Sequence, residues 1–104
     1  MQDLKVSIIQ TPIFWEQKDE NLKMFSQKIN AITEETDLII LPEMFTTGFT
    51  MKPSQFAEVT ESETLKRMLS WASYKNCVIT GSIIVKEKNS YFNRLIWVRP
   101  NGTY

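Results

Sequence analysis

Leu38-Ile-Ile-Leu-Pro-Glu-Met-Phe-Thr-Thr-Gly-Phe49 is the stretch from which the fold of this 104-residue chain is read. Leu38 to Leu41 form a short, continuous apolar run. A run of that length, without alternation and bounded by a turn signal, reads as a strand buried on both faces, as in a parallel sheet. Pro42 ends it, because proline has no N–H to give to a ladder. A carboxylate, Glu43, follows at once. In open α/β sheets, ligands bind outside the carboxyl ends of the strands, so Glu43 stands where a site would be expected.

Working outward, residues 4–10 begin as a period-2 alternation, with Leu4, Val6 and Ile8 on one face and Lys5 and Ser7 on the other. This predicts a strand that Thr11-Pro12 ends. Residues 13–17 read as a loop carrying Phe14 and Trp15. Leu22, Phe25, Ile29 and Ile32 then step by three, four and three, one stripe of a helix over about 18–35. Asp19 and Glu20 lie near its start, where the helix dipole favours acids. Residues 42–57 read as loop, punctuated by Pro42, Gly48 and Pro53. Thr60-Glu61-Ser62-Glu63 has the form of a capping box and opens a helix over 61–75 carried by Leu65, Met68, Leu69 and Ala72. Val78 to Val85 and Tyr91 to Val98 are strands joined by the polar turn Lys86 to Ser90, an antiparallel hairpin. Pro100-Asn101-Gly102 is a turn signal, and Thr103-Tyr104 look like the start of a fifth strand. The order β-α-β-α-β-β predicts an α/β fold with helices on a mixed sheet. A sheet that stops half built also suggests a piece of a larger domain.

Composition excludes several classes. Apolar residues make up 42% of the chain, with three Trp and six Phe, which argues against disorder. Twelve basic and twelve acidic residues cancel, and no basic block offers a track for a phosphate backbone, so no nucleic-acid partner is expected. Nothing approaches the roughly 20 apolar residues needed to cross a bilayer, and no signal peptide is read at the N-terminus. The single cysteine cannot form an internal disulfide, and a reducing, cytoplasmic setting fits it. There is no histidine, which removes Ser-His-Asp and Cys-His chemistry and the commonest zinc ligand from these residues.

Position alone leaves Glu43 two readings. It is an ordinary solvated loop glutamate, the commoner case, or a general base beside the apolar Met44 and Phe45, a setting that suits a carboxyl to proton abstraction. The sequence around it shifts that balance. Leu41-Pro-Glu-Met-Phe-Thr-Thr-Gly-Phe-Thr-Met51 resembles the signature around the catalytic glutamate of the nitrilase superfamily of carbon–nitrogen hydrolases, most closely its omega-amidase branch. Lys5 to Pro12 is similar to that family's first strand, and Asn21-Leu22 to the start of its first helix. Ile79-Thr-Gly-Ser-Ile83 is similar to its Gly-Ser strand, Tyr91-Phe-Asn-Arg94 to the next strand, and Pro100-Asn-Gly-Thr103 to its Pro-x-Gly turn. Leu-Pro-Glu alone is a weak signal. The ordered set spans the whole chain and is strong.

The resemblance implies the N-terminal part of an α-β-β-α sandwich and a hydrolase of amide bonds, with omega-amides of 2-oxo acids such as 2-oxoglutaramate as the substrate class. It implies a Glu-Lys-Cys triad with no metal or other cofactor, and of that triad only Glu43, as general base, falls on a matching position here. The lysine and the nucleophilic cysteine would lie beyond Tyr104, so these 104 residues alone are expected to be inactive.

Cys77 is not the nucleophile on this reading. It opens an apolar strand, matches no nucleophile elbow, and is read as a small buried hydrophobe. Phe45 and Phe49 are candidate substrate-lining residues, with core packing an equal alternative for Phe49 and the favoured one for Phe45. Trp71 and Trp97, with Met24 and Met68, are read as core or interface residues. For Asn93-Arg94 a structural hydrogen-bonding pair is favoured over contact with the active-site layer. A small-molecule amide is the expected partner, with self-association through an uncovered sheet face. The competing function is a non-catalytic module that associates through that face. A flavodoxin-like domain is disfavoured by the lack of a Gly-rich phosphate loop.

Overall fold

The computed structural model describes residues 3–104. Seven elements follow one another: β1 (Val6–Ile8), α1 (Lys18–Asn30), β2 (Leu38–Ile40), α2 (Pro53–Phe56), α3 (Glu63–Lys75), β3 (Val78–Glu87) and β4 (Ser90–Val98). They build one four-stranded sheet in the order β1-β2-β3-β4, with the first three strands parallel and β4 antiparallel to β3. The α/β mixed sheet is therefore as expected, with the short α2 added inside the long loop. No helix among the described residues is long and apolar enough to cross a membrane.

The register divides the sheet cleanly. Ile39 pairs with Ile79, Ile79 with Val98, and Gly81 with Ile96. Because paired residues point to the same face, these, with Ile83 and Val85, meet α1 and α3. Leu22, Phe25 and Ile29 from α1, and Leu65, Met68, Trp71 and Ala72 from α3, close that core. The other face carries Val6 against Leu38, Ile8 against Ile40, Thr80 against Trp97, Ser82 against Leu95 and Ile84 against Asn93. No helix among the described residues covers it, and Ile8 and Leu95 are 65% and 67% exposed. The alternating residues Leu4, Val6 and Ile8 thus lie on the open face, not against the helices.

β1 is shorter than the expected 4–10, and the end of α1 and the start of α3 differ from expectation because of partners distant in the chain. α1 stops at Asn30, capped at Ala31, although the apolar stripe runs on to Ile32. Glu34 and Glu35 would oppose the dipole at a helix C-terminus, and the Thr36 hydroxyl instead bonds the carbonyls of Lys5 and Leu38. The Lys75 ammonium donates to the Ile32 carbonyl at 2.8 Å, serving a carbonyl left beyond the helix. The capping box does not form. Ser62, not Thr60, is the N-cap of α3, with no side-chain cap bond, and the Thr60 hydroxyl accepts from Arg94. The other end of α3 is regular: Asn76 is left-handed, and the Cys77 N–H returns to the Ala72 carbonyl. Thr103 does not begin a strand; its carbonyl accepts from the Arg99 N–H and closes a turn around Gly102.

Candidate active site

Glu43 leaves the sheet at the carboxyl end of β2. The Leu41 N–H still reaches the Thr80 carbonyl at 2.8 Å, so pairing with β3 runs one residue past β2 and ceases at Pro42. The next residues turn sharply. Met44 adopts φ +49°, a left-handed conformation that costs a non-glycine residue about 1–2 kcal/mol. Hydrogen bonds hold it there. The Met44 N–H donates to the Ser82 hydroxyl at 2.8 Å, the Phe45 N–H donates to the Ser82 carbonyl at 3.2 Å, and the Gly48 N–H returns to the Met44 carbonyl at 2.7 Å. Strained backbone next to a candidate base is where functional strain concentrates.

Phe45 anchors this turn from below. Its ring is wholly buried, edge-on to Phe25 with centroids 5.5 Å apart and tilted against Trp71. It lies against Gly81: a Cβ there would meet the Phe45 ring at 2.8 Å and the Leu41 Cβ at 3.0 Å. Gly81 is needed for close approach, and Ser82 beside it accepts the two loop amides. The Gly-Ser pair is thus the seat of the Glu43 loop, a role the bare sequence did not indicate.

From above, Asn21 ties the loop to α1. It is fully buried, gives its amide to the carbonyls of Phe14 and Thr46 at 2.7 and 2.8 Å, and accepts from the Phe14 N–H at 2.8 Å. A buried asparagine inside an apolar helix stripe is the sequence signal that could have found it.

The Glu43 carboxylate itself is exposed on the open face of the sheet. It forms part of the wall of two shallow grooves. One, of about 290 Å³, runs over Thr80, Ser82, Asn93 and Leu95; the other, of about 420 Å³, over Ile8, Gln10, Ile40 and Pro42. The Asn93 amide donates to Glu43 Oε1 at 2.6 Å. Asn93 therefore reaches the Glu43 layer, against the favoured expectation of a purely structural pair. Arg94 turns to the opposite face and bonds Glu87 and Thr60. The walls of these grooves come from the strands and the residues just beyond their carboxyl ends, and neither Phe45 nor Phe49 lines them. Phe45 belongs to the core, which removes it as a substrate-lining residue. Phe49 is 70% exposed, and its carbonyl accepts the Trp15 indole N–H at 2.6 Å.

Another carboxylate, Glu58, is buried and engaged through one oxygen: the Thr64 hydroxyl donates to Oε1 at 2.6 Å and the Lys18 ammonium lies 3.6 Å from it, while Oε2 has no hydrogen-bond partner among the described residues. Cys77 immediately precedes β3, at the end of the strands opposite Glu43, and is 3% exposed. Burial pushes its thiol above the ordinary 9.0; Lys75 pulls it partly back and Asp37 adds to the rise. Folding that raises this value stabilises the native state fully below 9.0, and that contribution fades as pH climbs through the higher native value. Thiolate is scarce at neutral pH and access is poor, so alkylation of Cys77 at pH 8 is expected to run at least about tenfold slower in the folded chain than in urea. Equal rates would show an accessible thiol.

Comparison with known proteins agrees with this geometry. The carbon-nitrogen hydrolase family profile matches residues 5–104. The chain is 34% identical over 103 residues to omega-amidase YafV of Yersinia enterocolitica and 33% identical to that of Escherichia coli K12, covering 99% of this chain and 40% of each relative. It superposes with TM-score 0.93 and 31% identity on a CN-hydrolase superfamily protein of Xanthomonas campestris solved with an arsenic adduct in its active site, covering 99% of this chain and 39% of that one. Saccharomyces cerevisiae Nit3, of the nitrilase superfamily, shares the fold at TM-score 0.84 and 21% identity, over 96% of this chain and 41% of its own. The chain spans about 40% of the length of the curated relatives it matches. With a profile match over nearly every residue and a sheet that overlays a solved relative, this chain belongs to the carbon-nitrogen hydrolase family.

Proposed function

We propose that Glu43 is the general base of an amidase acting on omega-amides of 2-oxo acids, with 2-oxoglutaramate the type substrate. The observation that carries this reading is the placement of the carboxylate: beyond a parallel strand, on a strained turn, facing an open groove. The omega-amidase relatives support the substrate class. In this reading the cysteine and the lysine of the triad come from outside these 104 residues, since Cys77 is buried at the far end of the strands.

The chemistry then proceeds in two halves. Glu43 takes the thiol proton; the thiolate attacks the amide carbon, and the lysine stabilises the resulting oxyanion. The C–N bond breaks, the proton passes from Glu43 to the leaving nitrogen, and ammonia departs from a thioester. Water, deprotonated by the same glutamate, attacks the thioester; the carboxylic acid leaves and the thiol is restored. Ammonia release from 2-oxoglutaramate by the full-length protein tests the reading, and absence of turnover overturns it.

The open face favours a second element of the proposal. Ile8, Leu95 and Trp97 present apolar area to solvent, and such a patch drives association. The 104-residue chain alone is expected to show no turnover and to sediment as more than a monomer. Measured ammonia release by it, or a soluble monomer, would contradict one or the other.

A further inference from the structure

We propose that Asn93 is the positioning residue for the Glu43 base; this rests on the reading of Glu43 given above. The backbone of the turn is fixed by Ser82 and Phe45, but a glutamate side chain has three torsions of its own, and an exposed carboxylate samples several of them. A base must hold one oxygen within about 2.6–3.2 Å of the proton it removes. Nothing in the turn's backbone supplies that restriction. The Asn93 amide does, at 2.6 Å from Oε1.

Asn93 is well placed for the task. It lies in β4 opposite Ile84, in a hairpin paired without a break from Ile79–Val98 to Glu87–Ser90. It projects on the face that also carries Thr80 and Ser82, so the strand that seats the loop and the strand that grips the carboxylate are hydrogen-bonded neighbours. The chemistry also fixes which atom does what. An ionised carboxylate only accepts, so the amide nitrogen of Asn93 is the contacting atom. Oε1 is then committed to Asn93, and Oε2 remains to receive the proton. After transfer, a carboxylic acid protonated on Oε2 still accepts at Oε1, so the same bond serves both halves of the cycle. An aspartate at 93 has the same shape but no N–H, and would set two carboxylates against each other.

The test uses the full-length protein and ammonia release from 2-oxoglutaramate. Asn93→Ala is expected to lower kcat by roughly 10–100-fold, the scale on which misplaced catalytic groups act, with KM changed less than about threefold and the unfolding midpoint nearly unmoved. Asn93→Asp is expected to lose at least as much, which shows that the donor matters and not the volume. In a Glu43→Gln background, Asn93→Ala is expected to add little, because residues acting as one unit are non-additive. Full kcat in Asn93→Ala or in Asn93→Asp, a loss carried by KM, or additive losses in the double variant would each overturn the positioning role. If Glu43→Gln itself keeps full activity, the base assignment fails instead, and the two failures are separable.

Discussion

Replacing Glu43 with glutamine in the full-length protein is expected to reduce ammonia release from 2-oxoglutaramate by roughly 10³-fold or more, since a base used in both halves of a covalent cycle is lost from both. The change is nearly isosteric. A glutamine oxygen can still accept from the Asn93 amide, so the turn and the sheet face stay as they are. The carboxylate is exposed and forms no part of the core, so the unfolding midpoint should shift little. A loss of activity at unchanged stability identifies a chemical role. Retained activity would return Glu43 to the ordinary solvated glutamate that its position alone allows.

The largest stability effect is expected at Phe45. Truncation to alanine removes a fully buried ring from between Phe25, Trp71 and Gly81, and such deletions cost about 3–5 kcal/mol. Denaturant unfolding of the full-length protein measures it, and a loss below about 1 kcal/mol would mean that the site collapses onto the vacancy. The reverse error is made by Gly81→Ala, whose methyl group meets the same ring at 2.8 Å. Overpacking of that kind costs about 1–3 kcal/mol. Because the two residues touch, their effects should not add: Phe45→Leu is expected to offset part of the Gly81→Ala loss, and strict additivity would show that the clash is relieved elsewhere.

The parts of the fold legible in the sequence are those set by period. The run Leu38 to Leu41 marks a parallel strand, but not one buried on both faces, because Ile39 and Leu41 enter the core while Leu38 and Ile40 lie on the open face. Spacing alone determines the face buried by the stripe Leu22, Phe25 and Ile29. The hairpin between β3 and β4 was legible for the same reason. What escaped was decided by partners far along the chain. Ile32 continues the helical stripe, yet the helix ends before it because Thr36 bonds back to Lys5, thirty-one residues away. The capping box failed because the Thr60 hydroxyl accepts from Arg94 instead. At the candidate site, the position of Glu43 could be inferred from the strand and proline before it. The support of its loop could not: Ser82 and Asn93 lie 38 and 50 residues from the groups they hold, and Asn21 lies 25 from Thr46. Phe45 stands two residues from Glu43, but the turn points it to the opposite side of the sheet, which adjacency in sequence does not reveal.

The clamp made by Asn21 also bears on how this region breathes. One side chain satisfies the backbone of Phe14 on one connection and the carbonyl of Thr46 on another, at a position with no contact to water. Neither connection can swing out without stranding a buried amide, which costs about 1–3 kcal/mol. The segment before α1 and the segment carrying Glu43 are therefore one opening unit in hydrogen exchange, joined through a residue of the helix between them. Their amides should share a single protection free energy.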